Sequence, residues 1–330
     1  MEPVTSWQLA AGSWQLVTEM LSRVADSLYW MSRYFERADN IARAIDATHS
    51  LMLSRVEAAA GERWYHALTA MGLQLEAANP DPQNALRRLA ADPTLRTSMI
   101  SCLAAARENA SQVREEISSE MWEQLNRLYH QAVALSAEVA DDESVVRLVT
   151  AVREGSYAFA GVSETTMTHG EGWRFVQLGK YTERACAVSV LLDAYFGAHT
   201  QADDLDWIAL LASCGAFDSY TKVFTAELQP DRVAELLLVY PEFPYSVRFS
   251  VERMYTALKA ITAQGANRPR AQIGRIIGRL RSSLAFATVS ELRAGDLHAF
   301  LNGVLDQCRA IHGAVHDAYI DYPVETAFEV

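Results

Sequence analysis

The sequence predicts an all-α protein, a helical bundle built from two duplicated, interleaved helical halves, and three observations carry that expectation. Within residues 21–56 apolar or small side chains fall at Val24, Leu28, Met31, Phe35, Ala38, Ala42, Ile45 and Met52, alternating steps of three and four with one gap at His49. Such spacing commits one face of a long helix to a neighbouring helix. The centre of that stretch, RYFERADNIARAID, returns as KYTERACAVSVLLD, so Tyr34, Glu36, Arg37, Ala38 and Asp46 stand over Tyr181, Glu183, Arg184, Ala185 and Asp193. Nowhere does a period-two run or a hairpin dipeptide between apolar runs signal a strand.

Taken in order, the elements support two matching halves. Gly61 closes the opening helix, and WYHALTAMG at 64–72 forms a short amphipathic helix ending on glycine; WIALLASCG at 207–215 follows the second long helix in the same way. Asp92-Pro93 and Ser98-Met99 match Tyr240-Pro241 and Ser246-Val247, the proline stopping one helix and the serine capping the next. From Ser98 a helix is expected to 117, from Ser118 and Ser119 another, and the acidic Asp141-Asp142-Glu143 suits the start of a helix over 144–164. Residues 165–172 link the halves. The second half continues with helices over 246–262, 270–291 and 297–319, then the extended tail DYPVETAFEV. Gly274 and Gly278, four apart, are expected to let two helix axes approach closely. Residues 1–19 stand outside the repeat as an extension, a disordered segment or a start-site artefact, since Met20 makes an equally good start. Residues 20–164 and 165–330 are then two repeats packed as one globular body, because each apolar seam needs a partner helix.

Composition narrows the function classes. With 50% hydrophobic and 21% charged residues the chain has the balance of a packed globular protein. A net charge of −12 repels nucleic acid phosphates and anionic membrane surfaces, so neither is expected as a partner. Cys102, Cys186, Cys214 and Cys308 lie far apart in sequence inside apolar helical patterns and read as reduced core residues. No basic n-region with an apolar h-region opens the chain and no stretch reaches 18 apolar residues without a charge, which leads to a cytoplasmic expectation.

Three constellations are candidate sites. The repeated Y-x-E-R-A puts Arg33, Tyr34, Glu36 and Arg37 beside Lys180, Tyr181, Glu183 and Arg184 as a candidate charged groove. One reading is an internal ion pair joining two helices; the other is a polar pocket for a carboxylate, phosphate or amine. In the second constellation Arg107 and Arg114 lie seven apart on one face of the 98–117 helix, as do Glu108 and Glu115, with Glu120, Trp122 and Asn126 following. Two charged rows of this kind solvate a helix. Alternatively Arg107 and Arg114 clamp an anion that Asn109 orients, with Glu108 and Glu120 alongside. The third is basic: Lys259, Arg268, Arg270, Arg275, Arg279 and Arg281 fall in 254–290 with no Asp or Glu, and those six charges set against a total of −12 leave −18 for the remainder. That stretch is a solvated face or a docking surface for an acidic partner. No metal is expected: His312 and His316 are one turn apart and Asp46-x-x-His49 has ligand spacing, but a di-metal bundle needs carboxylates from four helices and two E-x-x-H elements. No cofactor is expected either, since Walker A, G-x-G-x-x-G and G-x-S-x-G sequences are all missing.

MLSRVADSLYWMSRYFERADNIARAID, together with ARENASQVREEISSEMWEQLN and GWRFVQLGKYTERA, resembles the alpha-E family of bacterial proteins of unknown function, over nearly the whole chain from Met20. The resemblance implies an all-α fold with prominent glutamates, here Glu36, Glu108, Glu120 and Glu183 with Arg37, Arg107, Arg114 and Arg184 alongside. It also implies association with circularly permuted ATP-grasp proteins, which the family neighbours or is fused to, and with transglutaminase-like cysteine peptidases. ATP-grasp enzymes join carboxylates to amines using ATP, so a system that makes, modifies or removes a small peptide is expected. The leading expectation is an accessory or binding subunit that docks an ATP-grasp ligase and presents a charged groove near Glu36, Arg37, Glu183 and Arg184 to an acidic peptide or amino acid. Its rivals are an enzyme with one glutamate as general base and arginines holding a substrate carboxylate, and a helical scaffold with no enclosed polar cavity.

Overall fold

Helix follows helix because caps and breakers punctuate nearly continuous helical pattern. The computed structural model describes residues 22–54, 81–197, 203–224, 227–262 and 268–319, and among these all regular structure is helical, with no strand. The first half contains α1 (Ser22–Ser54), α2 (Pro82–Ala91), α3 (Met99–Ser111), α4 (Ser119–Ser136) and α5 (Asp142–Thr166). The second contains α6 (Glu171–Gly197), α7 (Asp204–Ser213), α8 (Phe217–Phe224), α9 (Pro230–Ala234) running into a π turn (Glu235–Val239), α10 (Val247–Thr262), α11 (Arg268–Phe286), α12 (Val289–Ala294) and α13 (Leu297–Tyr319). Residues 1–19, Gly61 with the 64–72 helix, and the tail from 320 lie outside the described residues.

The caps expected from sequence are formed. Ser98 Oγ accepts from the Ser101 amide at 3.2 Å and Ser246 Oγ from the Phe249 amide at 2.9 Å, each satisfying an amide of the first turn that has no helical partner. Asp141 and Ser144 close a reciprocal capping box at α5. At the end of α7, Gly215 adopts φ 59° while its amide reaches Ala212 O at 2.9 Å and the Ala216 amide reaches Leu211 O at 2.7 Å. Only glycine takes that left-handed turn without steric cost.

Two helices stop well short of their expected ends. The helix from Ser98 stops at Ser111 instead of 117, because Ser111 Oγ turns back to Glu108 O at 2.7 Å and the chain continues through i→i+3 turns at Gln112, Val113 and Glu116. The helix expected over 270–291 breaks after Phe286, and Thr288 opens α12 through its carbonyl to the Leu292 amide at 3.1 Å.

At the centre lies α1, packed against α6, α3, α7 and α5. Leu28, Met31, Ala38, Ala42 and Ile45 are buried as the seam predicts, but so are Glu36, Asp39 and Arg43, which the sequence assigned to the polar remainder. Four neighbours cover most of this helix, and these charges stay inside because each is paired, Glu36 with Arg184 and Asp39 with Arg43. The order of neighbours recurs in the second half: α1 packs on α3 and α5, with α4 joining those two, while α6 packs on α10 and α13, with α11 joining those two.

Close approach of α1 and α6 rests on Gly179. A Cβ placed there would stand 2.3 Å from the Tyr29 carbonyl oxygen and 2.1 Å from Ser32 Oγ. Gly274 and Gly278, expected to serve a close crossing, do not: nothing lies within 4 Å of a Cβ at either position. Among the described residues no helix is long and apolar enough to cross a membrane.

Candidate functional site

Where α1 crosses α6, the two Glu-Arg dipeptides pair crosswise. Glu36 on α1 accepts from Arg184 Nε at 2.6 Å and Nη2 at 3.1 Å. Glu183 on α6 accepts from Arg37 Nε at 2.6 Å and Nη2 at 3.0 Å, and also from Arg33 Nε at 2.9 Å. Each carboxylate thus receives a two-pronged guanidinium, the geometry that makes arginine the residue of choice for enclosed ion pairs. Glu36, Glu183 and Arg184 are only 4–6% exposed. Arg184 also donates to Pro244 O at 3.0 Å, tying the crossing to the turn before α10. Arg33 lies 4.9 Å from the Trp30 ring and Arg37 5.7 Å from that of Tyr34, while Tyr181 lies under Arg184 at 5.3 Å.

Burial alone would raise the Glu183 carboxyl, but Arg33 and Arg37 outweigh it and hold the group below its ordinary value of 4.5. A depressed folded-state value means that the carboxylate stabilises the fold above the unfolded pKa and that this contribution is lost as pH falls through the folded one. Glu183→Gln is therefore expected to lower the melting temperature at neutral pH. Its difference from the parent should narrow as pH falls below about 4.5, read by circular dichroism melts across that range.

Beside the crossing is a cleft of about 230 Å³ walled by three helices and one turn. From α1 come Ser32, Glu36, Asp39 and Arg43; from α6 come Trp173, Gln177, Lys180 and Arg184. Both sets advance by four, three and four residues, which is one stripe on each helix. From α5, Ser156, Phe159 and Ser163 face in, and Tyr245 enters from the turn before α10. Asp39 Oδ2 accepts from Arg43 Nε and from the Tyr245 hydroxyl, both at 2.8 Å, while Oδ1 is buried with no hydrogen-bond partner among the described residues. The buried Ser156 hydroxyl likewise has none. Arg43 sits between the rings of Tyr157 and Tyr245, 5.3 and 4.9 Å from their centroids. Lys180 makes no hydrogen bond or ion pair among the described residues. Burial, and then the Arg184 guanidinium, lower its pKa from 10.5, with Glu36, Asp39 and Glu164 pulling the other way.

Of the eight groove residues, Glu36, Lys180 and Arg184 line this cleft, whereas Arg33, Tyr34, Arg37, Tyr181 and Glu183 lie on neighbouring faces of the two helices and do not. Sequence reading missed Asp39, Arg43, Ser156 and Tyr245 as site residues. Asp39 and Arg43 could have been found, since opposite charges four apart fall on the stripe that contains Glu36.

In the second constellation the expected helical rows are not formed. Because α3 ends at Ser111, Arg107 and Arg114 do not share a helical face, and neither do Glu108 and Glu115. Arg107 and Arg114 instead meet at Trp122, 5.4 and 4.8 Å from its ring, with Arg107 Nε donating to Asn126 Oδ1 at 2.7 Å. The Asn109 side-chain amide donates to Ala105 O at 2.8 Å, and Glu108 and Glu120 are exposed. On α11, Arg275 and Arg279 are exposed and Arg281 pairs with Glu252 at 2.8 Å; the side chains of Arg268 and Arg270 lie outside the described residues. Among the described residues no three His, Cys, Asp or Glu side chains gather as metal ligands.

Comparison with known proteins places this geometry. The chain is 26% identical over 332 residues to an uncharacterized protein of Mycobacterium tuberculosis and to one of Mycobacterium bovis, covering 93% of this chain and 37% of each relative. It thus spans little more than a third of the length of those curated relatives. No solved structure matches. The Alpha-E family model, described as a predicted alpha-helical domain with a conserved ER motif, matches residues 20–320. With Glu36-Arg37 and Glu183-Arg184 locked together at its central crossing, the chain belongs to the Alpha-E family.

Proposed function

We propose that the protein is a binding and partner subunit of an ATP-grasp amide-ligase or peptide-modification system, and that the cleft between α1, α5 and α6 holds an amino acid or an acidic peptide. The observation that carries the reading is the cleft's uncommitted polar groups. Lys180 has no counter-charge in contact, and Asp39 Oδ1 and the Ser156 hydroxyl have no partner among the described residues. The crosswise Glu-Arg pairs are committed to each other and act as the frame that positions those groups. A scaffold alone gives no reason for a cleft with unpartnered polar groups in its wall. A glutamate general base is poorly served by the geometry, since Glu36 and Glu183 both accept paired guanidinium donors. The ATP-grasp ligase, and beside it a transglutaminase-like peptidase, enter through the family resemblance.

The test joins two readouts. The tagged chain is expected to co-purify with a circularly permuted ATP-grasp protein of the same organism at micromolar concentration. Calorimetry against free glutamate and short acidic peptides is expected to give saturable heat that Lys180→Met removes while association with the ligase persists. Absence of association would overturn the partner role, and absence of ligand heat would overturn the cleft's role.

A further inference from the structure

The charges lining the cleft balance. Glu36 is matched by Arg184 and Asp39 by Arg43, each in contact, which leaves Lys180 and the exposed Glu164 as the remaining pair of opposite sign. A dianion such as phosphate, or a diamine, would leave excess charge beside the buried Glu36, Asp39, Arg43 and Arg184, and such imbalance is costly. A molecule carrying one positive and one negative group would not. The positions of the uncommitted groups point the same way. Asp39 and Ser156 are 5% and 6% exposed, and Asp39 is held in place through Oδ2 by Arg43 and Tyr245, so Oδ1 is a fixed acceptor lacking a donor. Lys180 lines the same cleft near enough to feel the Asp39 charge, yet stands beyond the 4.0 Å of an ion pair. An acceptor and an ammonium separated by such a gap can be bridged by an ammonium and a carboxylate on one small ligand.

We propose that the cleft recognises a free amino acid or dipeptide by both of its termini, the ligand ammonium donating to Asp39 Oδ1 and Ser156 Oγ and the ligand carboxylate accepting from Lys180. Phe35, Phe159, Val176 and Trp173 supply the apolar wall against which its side chain lies. The size agrees, since about 230 Å³ falls below the roughly 300–1,000 Å³ of drug-sized sites. This inference rests on the binding role proposed above and narrows it: the termini, and not an acidic side chain, carry recognition. An internal stretch of peptide has neither terminus and is excluded.

The experiment uses the intact chain and calorimetry with four kinds of probe: free amino acids and dipeptides, their N-acetyl derivatives, their C-terminal amides, and an acidic peptide blocked at both ends. The free compounds are expected to bind, both single blocks to weaken binding at least tenfold, and glutamate to bind no more tightly than glutamine. In Lys180→Met the acid and its amide should bind alike, and in Ser156→Ala the penalty for N-acetylation should shrink. Lys180 meets the Tyr181 ring at 5.6 Å but makes no hydrogen bond or ion pair among the described residues, and the Ser156 hydroxyl has no partner there either, so both variants are expected to melt close to the parent. Binding of the doubly blocked acidic peptide with no response to free amino acids would overturn the inference while leaving the binding role standing. Silence from every probe would overturn both. Equal binding of free and blocked forms would overturn recognition by the termini alone.

Discussion

Arg184→Met is expected to destabilise the fold by roughly 3–5 kcal/mol, because it strands the Glu36 carboxylate in a closed interior. Glu36 is 4% exposed and takes both of its strong hydrogen bonds from this one guanidinium, at 2.6 and 3.1 Å. Methionine preserves most of the stem's apolar packing, so the loss is electrostatic. The substitution also releases the Pro244 carbonyl, which Arg184 holds at 3.0 Å, and so loosens the turn that brings Tyr245 to Asp39. Against a total stability of about 5–15 kcal/mol for a folded protein, such a loss shifts the urea midpoint far enough to be read directly.

A second large effect is expected at Gly179, where the two central helices come closest. Alanine there adds one methyl group that would lie 2.3 Å from a backbone carbonyl, which cannot swing aside as the Ser32 hydroxyl can. The helices must separate, at a cost of roughly 1–3 kcal/mol for overpacking, with the bidentate contacts at the crossing lengthened as well. Gly278→Ala is the control. Nothing lies within 4 Å of its added methyl, so a gain of helix propensity should make that variant neutral or slightly stabilised. Thermal melts of the two alanine variants side by side measure the difference.

Much of the framework could be read from sequence because it depends on local chemistry. The seam of α1, the serine caps at Ser98 and Ser246 and the glycine ending α7 all follow from residues a few positions apart. The end of α3 was hidden. Ala110, Val113 and Ile117 continue the three-four spacing through turns that are no longer α-helical, so periodicity alone cannot see the break at Ser111. Burial of Asp39 and Arg43 was also hidden, since a helical wheel gives faces but not the number of neighbours. The choice of partners at the crossing was least legible of all. Glu36 meets an arginine 148 positions away, and repetition of a motif does not say that its copies touch. On α5, Ser156 and Ser163 look in sequence like small residues that let helices pack, and only the cleft gives Ser156 another role.

The central claim is that Glu36 and Arg184 are coupled across the crossing as an enclosed pair that frames the cleft. A double-mutant cycle of Glu36→Gln and Arg184→Met, read by urea unfolding, measures that coupling most directly. If the pair is what joins the helices, the double variant is more stable than the two single losses added together, by about 1.5–3 kcal/mol. Losses that simply add, within about 0.5 kcal/mol, would contradict it.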